Sequence, residues 1–289
     1  VLIGIGLYCR KHATDVNGFV LGGRSVGPWL TAFAYGTSYF SAVVFVGYAG
    51  QFGWKYGIAA TWAGIGNAII GSLLAWVVLG RRTRIMSQHL DSATMPQYFG
   101  KRFGSNPLKI GASVIIFIFL IPYTASLYNG LSRLFGMAFN IDYSVCIIIM
   151  ATLTAIYVIA GGYMATAIND FIQGIIMLFG IIAVIAAVIH SKGGFMSALQ
   201  GLANVSDPAV SNTPGIFASF FGPDPFNLLC VVILTSLGTW GLPQMVQKFY
   251  AIDNEASIQK GTVISTIFAL IVSGGCYFSE VSEDYSLTR

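Results

Sequence analysis

Seven apolar stretches, at roughly residues 29–50, 57–80, 107–138, 142–161, 163–190, 227–248 and 259–279, are each long enough to cross a bilayer, whose hydrocarbon takes about 20 residues of helix. Few folds are open to such a chain. In lipid the backbone finds no water to bond, so each spanning segment must satisfy its own amides and carbonyls as a helix. Composition agrees, since 55% of the 289 residues are hydrophobic and 9% are charged, with a mean hydropathy of +0.74. A chain that wets its own surface carries about 25% charged residues. The expected fold class is therefore all-α: a polytopic membrane helix bundle forming a single transmembrane domain over residues 1–289. Residues 1–9, VLIGIGLYC, read as the last turns of a partial first helix. They have neither a basic region before them nor a small-residue cleavage site after them, so they are not expected to be a signal peptide.

The connectors are polar and well punctuated. Residues 10–28 hold GGRSVGP, and residues 81–106 hold RRTR, Met95-Pro96 and Lys101-Arg102. Residues 191–226 are rich in Gly, Ser and Pro and long enough for a short helix outside the membrane. With the partial helix running inward, Arg10, Lys11, Arg24, Arg81, Arg82, Arg84, Lys101, Arg102, Lys109, Lys248 and Lys260 fall on the cytoplasmic side. Lys55, Arg133, Lys192 and Arg289 fall outside, so the 15 basic residues divide 11 to 4. Such an excess fixes orientation. The expected location is the cell membrane, as a multi-pass protein. The four cysteines, Cys9, Cys146, Cys230 and Cys276, lie in apolar runs without paired spacing, which points to inert thiols rather than disulfides or zinc ligands.

Two spans differ from the rest. Residues 29–50 cluster Gly36, Thr37, Ser38 and Ser41 mid-span, and residues 227–248 hold Gly238, Gly241 and Pro243. Small, hydroxyl and proline residues weaken a helix ladder locally. Within a membrane such breaks persist where the freed dipoles find partners, such as a buried ion or solute. Interrupted spans at matching positions of two halves mark the binding site of many carriers. Counted from residue 29, these are spans one and six, as in a five-plus-five inverted repeat. Packing notches for neighbouring helices are the alternative reading.

Candidate site residues follow from the breaks. Thr37, Ser38 and Ser41 offer oxygen ligands at the first, where Tyr39 and Phe40 interleave aromatic surface. Tyr35 and Tyr39, four apart, also fit an ordinary packed stripe. Asp170 is the acidic residue set well inside a span, about two turns past Gly161-Gly162, with Thr166 and Asn169 nearby. An intramembrane carboxylate is a functional candidate by default. A hard cation such as sodium suits it, and so does a structural bond to a neighbouring helix. Tyr123, Thr124, Ser126 and Asn129 gather around Pro122, and Trp240 beside Gly241 fits either a solute wall or core filling. His12, His89 and His190 have no metal-spaced partners, and neither a Walker sequence nor a GxSxG occurs. No enzyme, no organic cofactor and no nucleic-acid partner is expected. A proton-coupled carrier, with Asp170 titrating, is the alternative to sodium coupling, and a membrane-embedded enzyme or sensor is a more distant one.

Four runs carry a specific resemblance: GFVLGGRSVGPWLTAFAYGTSYFSA (18–42), ATMPQYFGKRF (93–103), YVIAGGYMATAINDFIQ (157–173) and the W-G-x-P-Q-x-x-x-K-F run at 240–249. In this order and spacing they resemble the sodium:solute symporter family, which includes symporters for proline, pantothenate, sialic acid and sugars. The resemblance implies a leucine-transporter-type inverted-repeat fold, with sodium as coupling ion and a small-molecule solute. It implies sodium-binding carbonyls at Thr37 and Phe40, with Ser41 beside them, and a second sodium or coupling role for Asp170. It sets Tyr123, Thr239, Trp240 and Pro243 near the solute, and Ser38 and Tyr39, side chains of the first break that need not hold the ion, are expected to face it as well. Proline symporters have Asp where this chain has Tyr39, which argues against proline. Sugar symporters carry Asn at the Pro243 position, which argues against sugar. An amino acid or organic acid is the expected solute class. The resemblance accounts for seven core helices and an incomplete second repeat. The family's eighth core helix, with its sodium hydroxyls, is not among them, so this chain is expected not to complete that sodium site alone. The acidic tail 280–289 reads unlike a membrane segment.

Overall fold

The computed structural model describes residues 1–40, 49–191, 193–205, 210–211 and 213–284. Short helices α1 (Leu2–Cys9) and α2 (Val16–Leu21) open the chain. The α2 N-terminus is closed by Asp15, whose carboxylate accepts the Gly18 amide at 3.1 Å. Gly22, Gly23 and Arg24 then take φ values of 59°, 67° and 55°. Glycine enters this left-handed region freely, so the GGR run is a sharp turn. It delivers Arg24 to the carbonyls of Ser87, Ser92 and Tyr250.

Helix α3 (Pro28–Tyr39) starts on a proline, whose missing amide costs nothing in a first turn. After it come α4 (Ala49–Tyr56), a 3-10 turn, α5 (Thr61–Gly66), π-helical stretches at Asn67–Leu74 and Trp76–Gly80, and α6 (Arg81–His89). Residues Gly50–His89 form one helical run of 40 residues. The expected connector at RRTR is therefore helix. Arg, Met and Gln are good helix formers, and buried Arg84 donates to the carbonyls of Ile252 and Asp253.

Thr94 caps α7 (Met95–Phe103), which stops at Gly104 with φ 60°. Ser105 caps α8 (Asn106–Phe139), which is helical through Pro122. Helix α9 (Tyr143–Ser191) covers both expected spans 142–161 and 163–190, with its ladder broken at Gly162 (φ 56°, ψ −149°). A side chain there would meet the Phe19 carbonyl at 2.7 Å, so glycine is required twice over. Helix α10 (Phe195–Ala203) is the short helix expected in the long connector. The last three are α11 (Pro225–Leu237), α12 (Pro243–Ala251) and α13 (Glu255–Asp284).

Among the described residues four helical runs are long and apolar enough to cross a membrane, or five if the bent pair α11 and α12 counts as one span. Helix α9, broken at Gly162, holds both of the expected stretches 142–161 and 163–190, and the expected stretch 29–50 runs from α3 into residues outside those described. Helix α3 packs between α9 and α13, and α13 also lies along α4, α5 and the π-helical stretch. Tyr35, Trp76, Phe249 and Phe268 are almost fully buried at the centre.

Candidate functional site

The first break falls where small and hydroxyl residues cluster. The ladder of α3 ends with the Phe40 amide donating to Gly36 at 2.9 Å, and Phe40 leaves helical geometry at φ −93°, ψ 76°. Carbonyls in a final turn have no partner inside the helix, so those from Thr37 onward point out of its end. The Thr37 hydroxyl donates to Phe33 O at 2.9 Å, while its carbonyl lies in the final turn of α3. Ser38 is half-buried. Ser41 lies outside the described residues.

The second break is complete in view. After α11, Gly238–Gly241 form a 3-10 turn, Leu242 is extended (φ −70°, ψ 126°), and Pro243 starts α12. The two helices are bent by 53°. Proline forces this geometry, because the residue before it is driven out of the helical region.

Both breaks close on the π-helical stretch Asn67–Leu74. Tyr39, at the end of α3, donates its hydroxyl toward Asn67 Oδ1 (3.1 Å) and the Thr235 carbonyl (3.2 Å). Ser236 donates to the same Asn67 oxygen at 3.0 Å. The Thr235 hydroxyl lies 3.1 Å from it and 2.9 Å from the Val231 carbonyl. One amide oxygen has two lone pairs, so Ser236 and Tyr39 satisfy it while Thr235 turns back to its own helix. Tyr35 donates to Gly71 O at 2.8 Å, and the Trp240 indole donates to Ile70 O at 3.0 Å. Tyr39 fits only because residue 71 has no side chain; a Cβ there would sit 1.9 Å from its hydroxyl. Phe40 stacks on Tyr39 at 4.6 Å, and Tyr35 meets it edge-on.

The structure thus joins Tyr39 and Trp240. Thr239, half-buried, donates to Ser236 O at 3.0 Å in the same turn, and Pro243 sets the bend. Tyr123 is half-buried on α8, whose main packing partners are α7 and α9, so it stands apart from this cluster. The hub itself, Asn67, was missed in the sequence. A lone Asn in an apolar span beside GxxxxG spacing was the available signal.

Asp170 is not a vacant carboxylate. Its Oδ2 lies 3.7 Å from the Lys248 ammonium, which belongs to α12 and is 6% exposed. Lys248, expected among the cytoplasmic loop cations, is instead buried, with its ammonium 5.1 Å from the Tyr163 ring centroid. A lysine near the end of an apolar span can withdraw its charge from lipid when a carboxylate meets it. Phe33 and Phe171 pack edge to face at 4.9 Å, and the Thr37 methyl approaches Gly174. Asp170, one turn before Gly174, therefore lies along the same α3–α9 seam as Thr37. Among the described residues no three His, Cys, Asp or Glu side chains converge. A cation here would be held by carbonyls, hydroxyls and a single carboxylate, a donor set for a hard ion.

An apolar helix bundle with two interrupted spans meeting at one buried polar junction is the layout of a membrane carrier. The sodium:solute symporter family matches residues 19–281, and the chain belongs to that family. The osmoregulated proline transporter OpuE of Bacillus subtilis (strain 168) is 29% identical over 270 residues, covering 92% of this chain and 53% of the relative. A sodium/proline symporter of Staphylococcus aureus (strain JH9) is 32% identical over 270 residues, covering 90% and 49%. A solved structure of a Na+-coupled sialic acid symporter, substrate-bound and outward-open, aligns with a TM-score of 0.77. It is 16% identical and covers 99% of this chain and 58% of that one, a likeness of fold. The chain spans about half the length of the curated relatives it matches. It is a multi-pass membrane protein of a transporter family.

Proposed function

We propose that this chain supplies the two interrupted helices of a sodium-coupled symporter for a small organic solute, in the cell membrane. The observation that carries this reading is the convergence of Tyr39 and Trp240, one from each break, on neighbouring groups of the π-helical stretch. Helix ends freed in mid-membrane hold ions and polar solutes through backbone dipoles. In this reading sodium sits at the carbonyls of Thr37 and Phe40, with Ser41 as a further ligand. The solute lies against Ser38, Tyr39, Thr239, Trp240 and Pro243, and Tyr123 approaches only if α8 moves inward. No covalent step is required, and no nucleic acid or organic cofactor enters.

The relatives named for proline and for sialic acid, both solutes with a carboxylate, support an amino acid or organic acid as the cargo class. Uptake into proteoliposomes at fixed pH, with sodium replaced by choline, is the test. The expected result is loss of uptake in choline. Uptake that persists in choline and follows a pH gradient would transfer the coupling role to protons.

A further inference from the structure

The contact between Asp170 and Lys248 is a poor salt bridge in a good place for one. At 3.7 Å it is longer than a charge-assisted hydrogen bond, which closes to about 2.7–2.9 Å. The two are also unequally covered, with 8% of the lysine side chain exposed against 24% of the aspartate side chain. The ammonium is enclosed while the carboxylate keeps an open side.

Polar groups without partners lie on both helices that form the pair. Among the described residues neither amide atom of Asn169, the residue before Asp170, finds a hydrogen-bond partner. The same holds for Gln244, which is four residues before Lys248 and so on the same face of α12. The hydroxyl of Tyr163, whose ring lies beside the ammonium, is buried and unpartnered as well. Buried polar groups in native proteins are nearly always paired. An unpaired hydroxyl beside a loose ion pair, with unpaired amides on the same two helices, indicates a site arranged for an occupant that brings its own charge or donors.

We propose that Lys248 is a tethered competitor for sodium at Asp170: its ammonium fills the counter-ion position, and a sodium ion enters only when the lysine withdraws. The lysine is attached to α12, the part of the second interrupted span after its break, whereas Asp170 belongs to α9. Sodium arriving at the open side of the carboxylate therefore exchanges an ionic link between two helices for a mobile ion, and frees α12 from α9. The hydroxyl of Tyr163, whose ring lies beside the ammonium, is the oxygen best placed to add to the coordination that Asp170 alone does not provide, with the unpaired amides of Asn169 and Gln244 on the same two helices. This inference rests on the sodium-coupled reading for its physiological meaning, but its chemistry is testable apart from transport.

The experiment is thermal unfolding of the purified protein in lipid nanodiscs, in sodium and in choline chloride at equal ionic strength. Lys248→Met leaves the carboxylate without its cation. It is expected to unfold earlier in choline, to be restored by sodium, and to show half-saturation about tenfold lower than the unsubstituted protein. Lys248→Arg keeps the tethered charge and is expected to respond to sodium as the unsubstituted protein does. In Asp170→Asn/Lys248→Met the added response is expected to vanish. A Lys248→Met response equal to that of the unsubstituted protein, or one that persists in the double variant, overturns the proposal. If Lys248→Met does not fold in choline, its recovery when purified in sodium gives the same readout, and equal yields in both salts overturn it. The unsubstituted protein's own sodium response reports on the coupling reading. The difference made by Lys248→Met reports on this one, so either fails without the other.

Discussion

The junction around Tyr39 and the pocket around Asp170 both join an α3 or α9 surface to the second interrupted span, yet they settle their polar groups in opposite ways. At the junction every group is neutral, and Tyr39, Ser236 and Thr235 each have an acceptor within 3.2 Å. In the pocket the central groups are charged, their contact is 3.7 Å, and the amides of Asn169 and Gln244 on the same two helices find no partners among the described residues. A satisfied neutral network rigidifies, whereas a half-satisfied one near charge is costly and open to an incoming ligand. The contrast separates a hinge that fixes where the two breaks meet from a site able to change its occupant.

The largest expected effect tests the charged side. Asp170→Asn leaves the Lys248 ammonium enclosed without its carboxylate, and removing one partner of a buried pair costs about 3–5 kcal/mol. The open side of Asp170 brings the expectation to the lower end of that range. Chemical unfolding in detergent should show the loss, and adding Lys248→Met should recover most of it. A double-mutant cycle with no coupling between the two residues would break the comparison, because the pair would then contribute nothing.

On the neutral side, Asn67→Ala removes the oxygen that Ser236 and Tyr39 share. Leaving buried donors unpaired costs about 1–3 kcal/mol, so a loss of about 2 kcal/mol is expected, independent of sodium. A sodium-dependent loss would make the junction an ion site and erase the distinction. Tyr39→Phe deletes one hydroxyl and keeps the ring stacked on Phe40. The Thr235 and Ser236 hydroxyls keep acceptors, so the expected loss is about 1 kcal/mol, that of a single net hydrogen bond.

These regions were unequally visible in the sequence. The breaks could be read because they are made by residue types with local conformational consequences: Gly36 to Ser41 in one span, and Gly238, Gly241 and Pro243 in the other. The GGR turn and the division of α9 at Gly162 follow from the same kind of signal. Tertiary partners leave no such trace. A lone Asn beside spaced glycines marks position 67 as unusual, but nothing local names as its partners the hydroxyls of residues 39 and 236, which fold in from distant segments. Lys248 was misread because a basic residue at a span's end ordinarily faces water. Only the fold brings it to Asp170, 78 positions earlier in the chain. The extension of helix through RRTR was hidden for a related reason, since Arg84 is buried against carbonyls of residues 252 and 253 that the sequence does not announce.

The smallest expected effect sets the scale for the pocket. Arg81 and Glu255 form a second ion pair with a 2.6 Å contact, far shorter than that of Asp170 with Lys248. By distance alone it would be the stronger. Their side chains, however, are 70% and 47% exposed, so water and salt screen the attraction. Exposed pairs of this kind contribute about 0–1 kcal/mol. Glu255→Gln should therefore change the unfolding midpoint by little, and by less as salt is raised over the range where the Debye length falls below about 10 Å. A loss from Glu255→Gln as large as that from Asp170→Asn would mean that contact distance, not enclosure, governs both pairs. The loose geometry at Asp170 would then mark a weak bond rather than a replaceable one.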